Sequence, residues 1–140
     1  MVIATVEQAK KWGKPYAVLK GIDHRIESAH FGARDLTKSP STEAAAKAAG
    51  VANGPIDIAE IYAPFSHQEI ILKKALGLGD DTVINPSGGV LAGNLMMASG
   101  LSRIGEVAMR IINGECKRGV AHATSGHALQ QNLVAVLEGA

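Results

Sequence analysis

A chain of 140 residues, 46% of them apolar, has the size of a single domain (1–140) and enough hydrophobic material for a core. Its 14 Lys and Arg against 13 Asp and Glu leave a net charge of +1, with no basic footprint for nucleic acid or an anionic membrane surface. One cysteine, Cys116, excludes an internal disulfide framework and a multi-cysteine zinc site; with no signal peptide and no run of about 18 apolar residues, a cytoplasmic location is expected.

Val2 to Ala4 reads as a short β-type run, and Thr5 to Gln8 has the form of a capping box opening a helix that runs through Trp12. Gly13 and Pro15 end that helix. Tyr16 to Ile26 follows as a strand with a weak point at Gly21, and its position near the chain start hints at sheet neighbours on another chain. Ser28 to Lys38 has no sustained period and reads as an exposed loop. Ser39-Pro40 has the look of a cap followed by proline at the first helical position, with an alanine-rich helix over Thr42 to Ala49.

Ile56 to Tyr62 alternates with period two and predicts a strand. After the Ala63-Pro64-Phe65 break, Ser66 to Glu69 forms a second capping box, with helix continuing over Ile70 to Leu76 and an exit loop over Gly77 to Asp81. Thr82 to Ile84 is a short strand. Ser99 to Asn113 predicts a helix whose buried face carries Leu101, Ile104, Ala108, Ile111 and Ile112, with Arg103, Glu106 and Arg110 on other faces. Arg118 to Thr124 and Asn132 to Leu137 predict a closing hairpin of buried strands. The order implies an α/β fold: a layered, mixed five-stranded sheet with helices on its faces.

Three loops leave the strand ends with polar groups on them: Tyr62 to His67, Asn85 to Ser99, and His122 to His127. Ligands gather beyond the carboxyl ends of strands in such sheets, so the three together form a candidate site. The Tyr62 hydroxyl could serve an oxyanion or be that of a half-buried strand tyrosine. His67 at a helix start is a candidate base or an exposed cap residue, and His122 or His127 a titrating group or a hydrogen-bonded loop histidine. Cys116 sits in an exposed-looking turn where Lys117 and Arg118 would lower its pKa, yet no histidine lies near it in sequence. His24 and His30 lack the further ligands a metal needs, and Gly88-Gly89 fits neither a dinucleotide nor a Walker fingerprint.

Asn85-Pro86-Ser87-Gly88-Gly89, then Gly93, then Ala98-Ser99-Gly100 and a helix opening Gly-Leu-Ser-Arg-Ile, resembles the late active-site loop of the thiolase superfamily. Ala59 to Ser66 is similar to its Asn-Glu-Ala-Phe or His-Asp-Cys-Phe loop. His122 to Gly126 falls where a Cys-x-Gly-Gly-Gly or His-Gly-x-Gly-Gly loop closes the fold. The resemblance covers the C-terminal half of a thiolase only and implies that half's domain fold. The cysteine that takes up the acyl group would then belong to a separate N-terminal-half polypeptide in a hetero-oligomer. The start at Met1 favours a natural split subunit over a fragment.

Where a thiolase carries Gly-His-Pro, the loop here is one residue shorter and reads Gly93-Asn94-Leu95. Asn94 can donate to an oxyanion but cannot carry a proton. Tyr62 replaces the Asn or His of the earlier loop, and His122 the proton-shuttling cysteine. That pattern resembles the lipid-transfer-protein-like branch, whose members work on unusual coenzyme A thioesters and commonly associate with a zinc-ribbon and OB-fold accessory protein. The implied activity is formation or cleavage of a carbon–carbon bond in a β-keto or β-hydroxy acyl-CoA, with the thioester as substrate and no covalently bound cofactor or metal. The implied catalytic residues are His122, Asn94 and Tyr62, and the implied substrate contacts are Ser87, Gly88, Gly89 and His67. Two alternatives stay open: a non-catalytic half that completes a partner's fold, and a cysteine-independent retro-aldolase with Tyr62 as general acid.

Overall fold

The computed structural model describes residues 1–140. β4 (Arg118–Ser125) and β5 (Gln131–Gly139) are rich in Val, Ala and Leu and form the antiparallel hairpin at the centre of the sheet, buried over most of their length. β1 (Ala17–Ile26) adds antiparallel to β5 on one side. On the other, β2 (Ile58–Glu60) runs parallel to β4, and β3 (Val83–Ile84) parallel to β2. The order is β1-β5-β4-β2-β3, a mixed five-stranded sheet.

Helices cover both faces. α2 (Pro40–Ala49) and α3 (Ser66–Ala75) bury Ala45, Ala46, Ala49 and Leu72 against Ile61, Val120, Val134 and Val136. α5 (Ser99–Ile112) buries Val107 and Ile111 against Ile58, Ala121, Ala135 and Leu137 on the opposite face. The alanines of α2 let its backbone come close to the sheet. A Cβ built on Gly21 would fall on the Ala49 carbonyl, so this strand glycine marks a close backbone approach, next to a register shift in β1. α1 (Val6–Trp12) is capped by Thr5, whose hydroxyl accepts from the Gln8 N–H, and has no buried residue. No helix is long and apolar enough to cross a membrane.

Four expectations are corrected. Val2 to Ala4 is exposed and pairs with no strand, although the outer edge of β1 is open. Ile56 to Tyr62 shortens to β2, whose ladder stops where the Ile61 N–H is taken by the Asn85 side chain. Ser66 caps nothing: α3 starts on it, and Glu69 instead accepts from Asn85. On α5 the expected Ile111 is buried and Ile104 and Ala108 pack against the same core, but Leu101 points outward and Ser99, Arg103 and Val107 join the inward row, because Arg103 is drawn inward by a buried carboxylate.

Candidate functional site

Parallel strands β2 and β4 carry the chain to one end of the sheet, where Tyr62 leaves β2 and the segment from Asn85 to Ser99 folds over. Asn85 sits at φ 48°, a left-handed conformation that asparagine tolerates, and uses its side chain as a brace. Its Oδ1 accepts from the Ile61 N–H at 2.7 Å and its Nδ2 donates to Glu69 Oε2 at 2.9 Å. Glu60, fully buried, accepts from the Ser87 N–H at 2.9 Å, the Ser87 hydroxyl at 2.8 Å and Arg103 Nη1 at 2.8 Å. The Ser87 hydroxyl also accepts from Arg103 Nη1 and the Gly89 N–H, both at 3.1 Å. Its donor and both acceptor positions are therefore engaged within the loop.

Gly88 and Gly89 have φ of 87° and 62°. A Cβ on Gly88 would lie 2.7 Å from the Ala92 Cβ, and one on Gly89 2.9 Å from the Asn85 Cγ, so this pair packs the loop against itself and opens the single-turn helix α4 (Gly89–Ala92). Gly88 is exposed and Gly89 buried.

The loop then delivers Asn94 to Tyr62. Asn94 Oδ1 accepts from the Met96 N–H at 3.0 Å, the Ser99 hydroxyl at 3.2 Å and the Tyr62 hydroxyl at 3.3 Å. The Met96 N–H can only donate, which fixes the carboxamide: Oδ1 faces the loop, and the two Nδ2 hydrogens make no bond inside the chain. Two candidate residues named on either side of a 32-residue gap thus meet, half-buried Tyr62 donating to exposed Asn94, whose Nδ2 donors stay unspent.

His122 lies inside β4 rather than in a loop and is only 1% exposed. It follows Ala121 on β4 as Ile61 follows Glu60 on β2, and Glu60 pairs with Ala121, so the imidazole belongs to the same end of the sheet as Tyr62. Its hydrogen bond goes elsewhere, however, from Nε2 to Asn132 Oδ1 at 3.0 Å, and Nδ1 is buried without a partner. Burial, partly opposed by the Asn132 bond, lowers its pKa to about 4, which keeps it neutral at physiological pH. His67 stands exposed at the start of α3 and stacks on Phe65, with ring centroids 5.9 Å apart. It contacts neither Tyr62 nor Asn94.

Cys116 is buried at the entry of β4, the opposite end of the sheet from Tyr62. Desolvation, then Asp57 and Glu115, push its thiol pKa up, the reverse of the lowering expected from Lys117 and Arg118. Sequence reasoning missed the Glu60–Arg103 pair, having set Arg103 on an outer face. Ile58 and Glu60 share one face of a period-two strand, and Arg103 lies four residues before Val107, so the pairing had a signal in the two periodicities.

In three dimensions the chain is similar to human mitochondrial 3-ketoacyl-CoA thiolase, whose crystal structure it matches with a TM-score of 0.73 and 20% sequence identity. The fold is thiolase-like. The match covers 98% of this chain and 34% of that one, so the chain spans about a third of that thiolase's length. No protein-family profile and no curated protein sequence matches it. On this thiolase-like fold the Tyr62 to Asn94 contact and the braced loop from Asn85 to Ser99 lie beyond the end of parallel strand β2, where such sheets place ligands, while His122 lies within β4 and bonds through Asn132 toward α2.

Proposed function

We propose that this chain is the C-terminal half of a heteromeric thiolase-like enzyme that forms or cleaves a carbon–carbon bond in a β-keto or β-hydroxy acyl-CoA. A separate N-terminal-half polypeptide supplies the nucleophilic cysteine, and a zinc-ribbon and OB-fold accessory protein is a further candidate partner. The observation that carries the reading is the Tyr62 to Asn94 contact on a thiolase-like fold, which holds an Asn94 amide whose Nδ2 hydrogens have no partner inside the chain.

In this reading the Asn94 amide donates to the thioester or enolate oxygen as it becomes negative, and the Tyr62 hydroxyl joins it by turning its hydrogen away from Asn94 Oδ1. His122, neutral at physiological pH, offers a lone pair and begins the cycle as the base; it becomes an acid only after taking up a proton. In the same reading the exposed Gly88 backbone contacts the coenzyme A thioester, Ser87 and Gly89 shape the loop beneath it, and exposed His67 is a further candidate contact. Removing one well-placed oxyanion donor costs about 100-fold or more in kcat. Asn94→Ala and Tyr62→Phe, assayed for acyl-CoA cleavage in the complex purified with its partner, are each expected to show a loss of that size with KM little changed.

A second reading draws on two placements: His122 is buried and Cys116 lies at the far end of the sheet. In that case the chain is a non-catalytic half that completes its partner's fold. Full activity in a combined Tyr62, Asn94 and His122 alanine variant selects it over the first.

A further inference from the structure

The buried hydrogen bonds around His122 run in one direction. Asn132 is fully buried, and its Nδ2 lies 2.7 Å from the Leu129 carbonyl, which can only accept. That fixes the amide group there and turns Oδ1 toward His122. An oxygen facing Nε2 makes Nε2 the donor. A neutral ring with its proton on Nε2 has its lone pair on Nδ1, the one nitrogen without a partner in the chain.

Asn132 is itself held. Its Nδ2 also donates to Ser41 Oγ at 2.7 Å, and the Ser41 hydroxyl donates to Glu27 Oε1, which accepts the Ser41 N–H at 3.0 Å as well. Arg34 Nη1 stands 3.8 Å from the other Glu27 oxygen, and its guanidinium donates to the His127 and Ala128 carbonyls in the β4–β5 turn. Each donor from His122 through Asn132 and Ser41 thus points toward one carboxylate. The chain joins β4, β5, the first turn of α2 and the end of β1.

We propose that Asn132 is the positioning residue for His122, fixing it as the Nε2–H tautomer so that Nδ1 is the nitrogen that exchanges a proton with the substrate. This rests on the reading of His122 as a proton-transfer group. In the step, a substrate C–H proton passes to Nδ1, the C–H pair remains on substrate as the enolate, and the imidazolium keeps its Nε2–H bond to Asn132. The charge on the ring is then met through Ser41 by Glu27. Asn132 touches no substrate and acts through the ring alone.

The test uses the full chain in its purified complex, with nitrogen-15-labelled histidine read by NMR beside kcat and KM. The wild type is expected to show His122 protonated on Nε2 and bare on Nδ1. Asn132→Ala is expected to show a mixed tautomer population and to lose about 100-fold in kcat with KM little changed, since the wrong tautomer presents a proton where a lone pair is needed. Asn132→Asp keeps an acceptor toward Nε2 but sets an oxygen against the Leu129 carbonyl, so it should restore the Nε2–H signal and only part of kcat. Should the alanine variant fail to fold, Ser41→Ala, which releases Asn132 from its anchor, is expected to broaden the same signal. A wild-type Nδ1–H tautomer, or an Asn132→Ala protein with unchanged kcat, overturns the proposal. Full activity in His122→Ala together with the expected wild-type tautomer instead removes the catalytic reading, so the two failures are told apart.

Discussion

The imidazole of His122 makes the protein's stability depend on pH in a predictable direction. An unperturbed imidazole titrates at 6.5, whereas burial holds this one near 4, so between those values the unfolded chain binds a proton that the native state resists. Stability is full above about pH 6.5 and falls as pH drops toward 4, the sign expected for a depressed histidine. The loss from this group by about pH 4.5 is about 2 to 3 kcal/mol. Urea unfolding of wild type and His122→Gln at about pH 7.5 and about pH 4.5 should show the wild type losing that much more than the variant. Equal losses would mean that the ring is solvated in the native protein. The residue names at this end of the sheet were legible from motif order, because Tyr62 and Asn94 stand in loops whose spacing resembles a thiolase. The partners were not: nothing in Asn132, Ser41 or Glu27 taken alone announces that three separate elements converge on one ring.

At the level of elements, the loop from Asn85 to Ser99 is held from beneath by a charge pair. Glu60 ends β2 and Arg103 lies one turn into α5, and both are buried, with the Ser87 backbone and hydroxyl completing the carboxylate's bonds. Taking away one member leaves the other charged in a low-dielectric interior, which costs about 3 to 5 kcal/mol. Arg103→Met is expected to lose that much in denaturant unfolding, and Glu60→Gln with Arg103→Met to recover part of it. A loss below about 1 kcal/mol for the single variant would mean that water reaches the carboxylate. Periodicity located α2, α3, α5 and the closing hairpin because apolar spacing follows from burial. It set Arg103 on an outer face of α5 because a buried ion pair is invisible to a rule that sends charge outward. Gly21, which read as a weak point of its strand, is where α2 comes closest to β1, a tertiary constraint with no local signature.

For the whole molecule, α5 sets the strongest demand for a partner. Its inner row packs on the sheet, and the opposite ridge is Leu101, Gly105 and Met109, with Leu101 55% and Met109 53% exposed. That ridge leaves two large apolar side chains in solvent on the face turned away from the sheet. The adjoining loop adds Leu91, Leu95, Met96 and Met97, the last 99% exposed. Gly105 has open space where a Cβ would stand, so a second helix could cross this ridge at close range, and the proposed N-terminal half would bring such an element. Leu101→Glu with Met109→Glu removes the apolar ridge without touching the row that faces the sheet. The double variant is therefore expected to fold with stability within about 0.5 kcal/mol per substitution of wild type, yet to lose co-purification with the partner polypeptide. Loss of folding would assign the ridge to this chain's own core. Undiminished co-purification would move the proposed interface to another surface, and with it the position from which the proposed partner's cysteine would reach Tyr62 and Asn94.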